Sequence, residues 1–194
     1  MGKIYIARHG ESKANVENRL ALSDSPLTKK GIAQAKATAE FFANKKISAI
    51  YTSPYKRAFD TAMIIGKKLQ LIPIIIDSLV DVNAGILEGY VIGKQWKDRA
   101  KNPWHYKIRN AENLSDVQAR VIPAYKRIRK SGNILIVAHR DVNRILVQHL
   151  GKIPKSKIME IDHPNDCVYA YDKKGLRYYM NGKEFSGYCK WNGY

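Results

Sequence analysis

The run Ile134-Leu135-Ile136-Val137-Ala138, opened by Asn133 and closed by His139-Arg140, carries no polar side chain in either register. A strand with one wet face alternates apolar and polar residues. A strand of this composition is buried on both faces, and helices packed on both sides of a sheet bury it that way. The segments around it agree. Lys3 to Arg8 reads as a strand, and Thr28 as the N-cap of a helix whose Ile32, Ala35, Ala39 and Phe42 share a face. Ala49 to Thr52 reads as a second strand. Ser53-Pro54 then pairs an N-cap residue with proline at the first helical position, ahead of a stripe of Ala58, Ala62, Ile65 and Leu69. Ile72 to Ile76 predicts a third strand, followed by a loop with Asn83, Gly85 and Gly89. A helix is expected from about Ser115 to Arg129, which Pro123 either kinks or marks as a late start. A helix from about Asp141 to Leu150, ended by Gly151, follows the apolar strand, and Asn181-Gly182 predicts a terminal hairpin between Leu176–Met180 and Lys183–Phe185. The pattern predicts a three-layer α/β/α sandwich with a mainly parallel central sheet, as one domain over residues 1–194.

Composition narrows the class. With 45% hydrophobic residues the chain fills a core, but its apolar runs fall far short of the roughly 18 to 20 residues of a spanning helix, so no membrane partner is expected. Met1 to Ile6 enters directly into strand alternation without the features of a secretion signal, which predicts a cytoplasmic protein. Cys167 and Cys189 are expected to be free thiols rather than one late bridge. Lys and Arg number 34 against 17 Asp and Glu, a net charge of +17, which raises binding to nucleic acid or another polyanion as a rival function. The basic residues are dispersed, and no nucleic-acid-binding signature accompanies them.

In an open α/β sheet, ligands collect beyond the carboxyl ends of the strands. There the sequence places Arg8-His9-Gly10-Glu11-Ser12 after the first strand, Arg57 after the second and His139-Arg140 after the apolar one. Two arginines and two histidines thus converge on one end of the sheet, an anion pocket in which an imidazole can act as nucleophile toward phosphorus. Gly10 is expected to let the backbone approach the ligand.

These residues belong to an ordered series: Arg8 to Ser12 with Asn15; Asp24 to Thr28 with Gly31, Gln34 and Ala35; Ser53 to Ala58 with Thr61-Ala62; Gly85 with Glu88-Gly89; Glu112, Asp116 and Arg120; and Val137-Ala138-His139. The series resembles the histidine phosphatase superfamily in its phosphoglycerate-mutase-like branch, over residues 3 to about 170. The resemblance implies His9 as the nucleophile, Arg8, Arg57 and His139 as the phosphate pocket, and Asn15 as a further hydrogen bond to the phosphate. It implies neither metal nor other cofactor, and the five histidines show no metal-ligand spacing.

Two positions depart from the family pattern. Asp81 stands where the family usually has Glu as the acid that protonates the leaving oxygen; Asp81 is the first choice for general acid/base, with Glu88 as the alternative. Arg140 stands where relatives usually have a small residue, and either binds a second anionic group or points into solvent, with Asp141 as a possible partner. Asn15 to Arg19 resembles the mutases, but the Thr-Gly pair that follows in them is replaced by Ala21-Leu22. The Glu88–Glu112 interval is also short, as in the phosphatases. The expectation is therefore a phosphomonoester hydrolase acting on a small phosphorylated metabolite, with a phosphoglycerate mutase as the alternative and a polyanion-binding protein on the same fold as the reading from another class. Residues of about 90–112 are expected to cap the site. Within them Trp96, Trp104 and Tyr106 lie among six basic residues, and they either select an anionic, planar substrate or pack on the domain. Oligomeric state has no signature in the sequence.

Overall fold

Along β1 (Ile4–Arg8) the side chains of Ile4 and Ile6 enter one apolar layer and those of Tyr5 and Ala7 the opposite one, so all five residues of the strand are buried. The computed structural model describes residues 2–129 and 132–190; the outermost ends of the domain expected over 1–194 lie outside them. After β1 come α1 (Lys13–Val16), α2 (Lys29–Phe42), β2 (Ile47–Thr52), α3 (Lys56–Leu69), β3 (Ile74–Ile75) and α4 (Lys94–Asp98). α5 (Leu114–Ile128), β4 (Asn133–Ala138), α6 (Arg140–Gly151), β5 (Val168–Asp172), β6 (Gly175–Met180) and β7 (Lys183–Ser186) complete the chain.

The seven strands form one sheet in the order β3-β2-β4-β1-β5-β6-β7. β4, the doubly apolar strand, lies inside it between parallel β1 and β2. Its Ile134, Ile136 and Ala138 pack toward the layer of α5 and α6, and Leu135 and Val137 toward that of α2 and α3. The half from β3 to β1 is parallel, and β5, β6 and β7 continue it antiparallel. Arg8 pairs with Ala138 and Thr52 with Val137, so β1, β4 and β2 end level with one another. That shared edge carries the chemistry.

Several local expectations are revised. Ile72 is almost fully exposed and β3 is only Ile74–Ile75, because no second layer covers this edge of the sheet. α3 begins at Lys56 with Tyr55 as N-cap, so Pro54 lies before its first turn; the Ser53 hydroxyl accepts from the Tyr55 N–H at 3.2 Å. Ile32 is turned outward on α2, while Gly31, Ala35, Ala39 and Phe42 form the buried face. Gly151 closes α6 in helical geometry, and Lys152 takes the left-handed position after it at φ 51°. Pro123 neither starts nor stops α5. A capping box of Asn113 and Asp116 and the buried stripe from Leu114 to Ile128 hold the helix across the bond that proline deletes. The hairpin turns at Asn181-Gly182, both at positive φ (51° and 73°). No helix among the described residues is long and apolar enough to cross a membrane. Cys167 and Cys189 are buried free thiols.

Candidate active site

His9 follows β1 and His139 follows β4, and their rings lie 5.2 Å apart, centroid to centroid. Each orientation has a cause. His9 Nδ1 lies 2.7 Å from the Gly10 carbonyl, an acceptor, so Nδ1 carries the proton and Nε2 keeps the free electron pair. Asn165 donates its amide to the His9 carbonyl from the loop before β5. The Gly10 N–H donates to Thr61 Oγ1 at 3.0 Å, and that hydroxyl donates to the Arg57 carbonyl at 2.7 Å, tying the His9 turn to the first turns of α3. His139 Nε2 meets Ser53 Oγ at 2.9 Å, and its Nδ1 faces Asp81 Oδ2 at 3.5 Å.

Gly10 is also required by packing. A Cβ there would lie 2.3 Å from the Gly31 carbonyl oxygen, and a Cβ on Gly31 would lie 2.0 Å from the Glu11 carbonyl oxygen. The two glycines let the His9 turn and the first turn of α2 pack backbone to backbone.

Arg8 and Arg57 are both buried. Arg8 Nη1 donates to the His163 carbonyl at 3.1 Å. Arg57 donates to the Leu22 carbonyl at 2.9 Å and, through Nη2, to Asp81 Oδ2 at 2.8 Å. Asp81 Oδ1 accepts from the Val82 N–H at 2.9 Å. The loop behind Asp81 is fixed by Arg120, which donates to the carbonyls of Ser78, Val80 and Asp81 and is itself gripped through Nε and Nη2 by Glu112, at 2.7 and 2.8 Å.

Burial depresses the proton affinity of both imidazoles well below the ordinary histidine value. Arg8, His139 and Arg57 add to this at His9, and Arg57, Arg8 and Arg120 at His139. Both rings are therefore neutral at pH 7. Desolvation, and next the Arg140 guanidinium, lower Arg8 to about 9, which leaves it protonated. Among the described residues neither Arg8 Nε nor His139 Nδ1 has a hydrogen-bond partner, although both are buried.

Arg8, His9, Arg57 and Asp81 line a cleft of about 290 Å³ whose walls also include Asn15, Arg19, Glu88, Arg99 and Arg140, while His139 is fully buried beside His9. Asn15 Oδ1 is occupied by the Ser12 N–H at 3.1 Å, at the start of α1. Glu88 lines the cleft without approaching the histidines as Asp81 does. Arg140 lies on the cleft wall, with Nε 4.0 Å from Asp162. Asp141 forms ion pairs with Arg99 and Arg144, and the Arg140 charge also acts on it. From the 90–112 segment, Ile92, Trp96 and Arg99 line the cleft. Trp104 is set apart from it: it is buried in the layer of α5 and α6, and its indole N–H donates to the Lys155 carbonyl at 3.0 Å. Tyr106 packs against a small apolar cluster of Ala84, Trp96 and Ile108. Substrate selection by Trp104 and Tyr106 is thus set aside.

Sequence reasoning read Ser53 only as a helix cap and passed over Tyr55, whose ring centroid lies 5.5 Å from that of His139 and 5.3 Å from the Arg57 guanidinium. Both stand inside the Ser53–Ala58 stretch that carried the resemblance. Asn165 had no signal, since its loop follows no periodicity.

A mixed α/β sandwich that gathers two arginines and two neutral histidines at the ends of adjacent parallel strands is the architecture of a phosphate-handling enzyme. The model of the histidine phosphatase superfamily (branch 1) matches residues 4–181, and the chain belongs to that family. It is 32% identical to a 6-phosphofructo-2-kinase/fructose-2,6-bisphosphatase of Caenorhabditis elegans over 83% of its own length, but spans only 36% of that protein. It is 30% identical to a 2,3-bisphosphoglycerate-dependent phosphoglycerate mutase of Buchnera aphidicola, covering 91% of the chain and 97% of the mutase. Among solved structures, Bacillus stearothermophilus YhfR superimposes with a TM-score of 0.80 at 29% identity, over 94% of this chain and 98% of the other. Family and relatives together place the chain in the histidine phosphatase superfamily.

Proposed function

We propose that the chain is a metal-independent phosphomonoester hydrolase that acts on a small anionic phosphorylated substrate through a phosphohistidine at His9. The observation that carries this reading is the pocket itself: Arg8 and Arg57, both buried and cationic, flank a neutral His9 whose bare Nε2 has its tautomer set by Gly10. Phosphoryl transfer needs positioning and charge stabilisation rather than covalent assistance from the protein beyond the nucleophile, and fixed guanidinium groups supply both.

In the first step the His9 Nε2 electron pair forms the N–P bond as the P–O bond to the leaving group breaks. Asp81 gives its proton to the leaving oxygen. The imidazole becomes cationic as it is phosphorylated, and its Nδ1–H bond to Gly10 strengthens with that charge. In the second step water attacks phosphorus, Asp81 takes the water's proton, and His9 leaves neutral. Arg8, Arg57 and His139 bind the non-bridging oxygens, and Asn15 offers its amide N–H. Ser53 and Arg120 act through others, as positioning residues for His139 and the Asp81 loop.

The near-complete coverage of a mutase favours phosphoglycerate mutase as the second reading. The hydrolase is preferred because that alignment runs over 224 residues, more than the 194 of the whole chain, so the mutase carries insertions that this chain lacks. Steady release of inorganic phosphate from p-nitrophenyl phosphate supports the hydrolase. Interconversion of 2- and 3-phosphoglycerate, primed by the bisphosphate and with little hydrolysis, overturns it.

A further inference from the structure

The tautomer of His9 is set by a backbone oxygen, and that oxygen is held in place by side chains from three other parts of the chain. His9 Nδ1 donates to the Gly10 carbonyl at 2.7 Å, which leaves Nε2 bare. That carbonyl belongs to the peptide unit joining Gly10 to Glu11. A trans peptide is planar and points its C=O and N–H in opposite directions, so a grip on one aims the other. The Glu11 N–H donates to Gln34 Oε1, on α2, at 2.8 Å. The preceding unit, between His9 and Gly10, is held at both poles. Its carbonyl accepts from Asn165 Nδ2 at 2.5 Å, and its N–H donates to Thr61 Oγ1, on α3, at 3.0 Å. Between the two planes stands Gly10, which the close approach of Gly31 requires and which has the greatest backbone freedom of any residue. Without these bonds the Gly10 carbonyl turns away from the ring, and the proton can then sit on Nε2, where it blocks attack on phosphorus.

We propose that Asn165 and Gln34 are positioning residues for the phosphoryl transfer, and that with Thr61 they keep the proton of His9 on Nδ1 by fixing the two peptide planes that meet at Gly10. The two side chains act with opposite polarity: Asn165 donates to a carbonyl, whereas Gln34 accepts from an N–H. This inference rests on the hydrolase reading and deepens it.

Long-range proton–nitrogen correlation spectra of the imidazoles at pH 7, with His9→Ala to assign the His9 ring, report which nitrogen carries the proton. They are recorded on the wild type, Asn165→Leu, Gln34→Met and Gln34→Glu, beside kcat/KM for p-nitrophenyl phosphate and the inhibition constant of inorganic phosphate. The wild type is expected to hold the His9 proton on Nδ1 alone. Asn165→Leu and Gln34→Met keep the shape but lose the bond, and are expected to share the proton with Nε2. Their kcat/KM is expected to fall about 10-fold, the scale of one hydrogen bond, with phosphate inhibition unchanged because Arg8 and Arg57 stay in place. Gln34→Glu, which retains an acceptor, is expected to keep the Nδ1 proton and most of kcat/KM. A wild-type proton on Nε2 overturns the proposal, as does a tautomer unchanged in Asn165→Leu or Gln34→Met, or an equal loss in Gln34→Met and Gln34→Glu. The Gln34 pair decides the matter by itself if Asn165→Leu does not fold. A wild type without phosphatase activity overturns the hydrolase reading, while the spectra judge the hold on His9 separately.

Discussion

Asp81 sits on Arg57 at 2.8 Å, where the proposed complex places a phosphate oxygen. Asp81 there occupies one of the donors that the phosphate uses, and the same group is the proposed proton donor. Asp81→Asn is therefore expected to separate catalysis from binding. kcat falls by about 10²- to 10⁴-fold with the loss of general acid catalysis, while inorganic phosphate, measured as a competitive inhibitor, still binds. Near-normal turnover in that variant transfers the role to Glu88, which also lines the cleft. At this scale the sequence was informative wherever a functional side chain directly follows a strand, as His9 and His139 do. It was silent on Ser53, because a Ser-Pro pair ahead of a helix has the same appearance whether its hydroxyl caps the helix or holds an imidazole across the sheet.

Between elements, the contact of the His9 turn with the first turn of α2 depends on two missing side chains. Gly31→Ala places a Cβ 2.0 Å from the Glu11 carbonyl oxygen, and neither backbone yields without displacing the Thr28 N–H bond to the same oxygen, at 2.9 Å. The substitution is expected to destabilise the fold by about 1–3 kcal/mol, lowering Tm by several degrees, and to reduce kcat because His9 moves with Glu11. An unchanged Tm and kcat contradict the packing role assigned to the pair. The helices that flank the site were legible from the spacing of their apolar residues, and β4 from its unbroken hydrophobicity. β3 was read too long because Ile72 to Ile76 is apolar for a reason other than burial: Ile72, Ile74 and Ile75 are all exposed at the sheet edge. The antiparallel β5 escaped notice as Val168-Tyr169-Ala170-Tyr171, since tyrosines that pack against the core carry a polar tip and blur the alternation.

Over the whole molecule, the net charge of +17 and three buried histidines set the response to acid. Burial holds His9 and His139 neutral, and it lowers His163 to about 3. The unfolded chain protonates these residues at the ordinary value and the folded chain does not. Stability is thus fully present above pH ~6.5 and falls below it, toward about 3 for His163, by up to about 1.4 kcal/mol per pH unit for each histidine. Urea midpoints at pH 7, 6 and 5 are expected to fall steadily; a midpoint flat from 7 to 5 contradicts neutral burial. Part of the excess charge lines the cleft, as Arg8, Arg19, Arg57, Arg99 and Arg140. All of this depends on His9 being the atom that carries the phosphoryl group. Quenching the wild type during turnover of p-nitrophenyl phosphate is predicted to trap a phosphoenzyme that is acid-labile and alkali-stable, mapped to His9 and missing from His9→Ala. Steady turnover without such a species, or an equal yield of it in His9→Ala, contradicts the account.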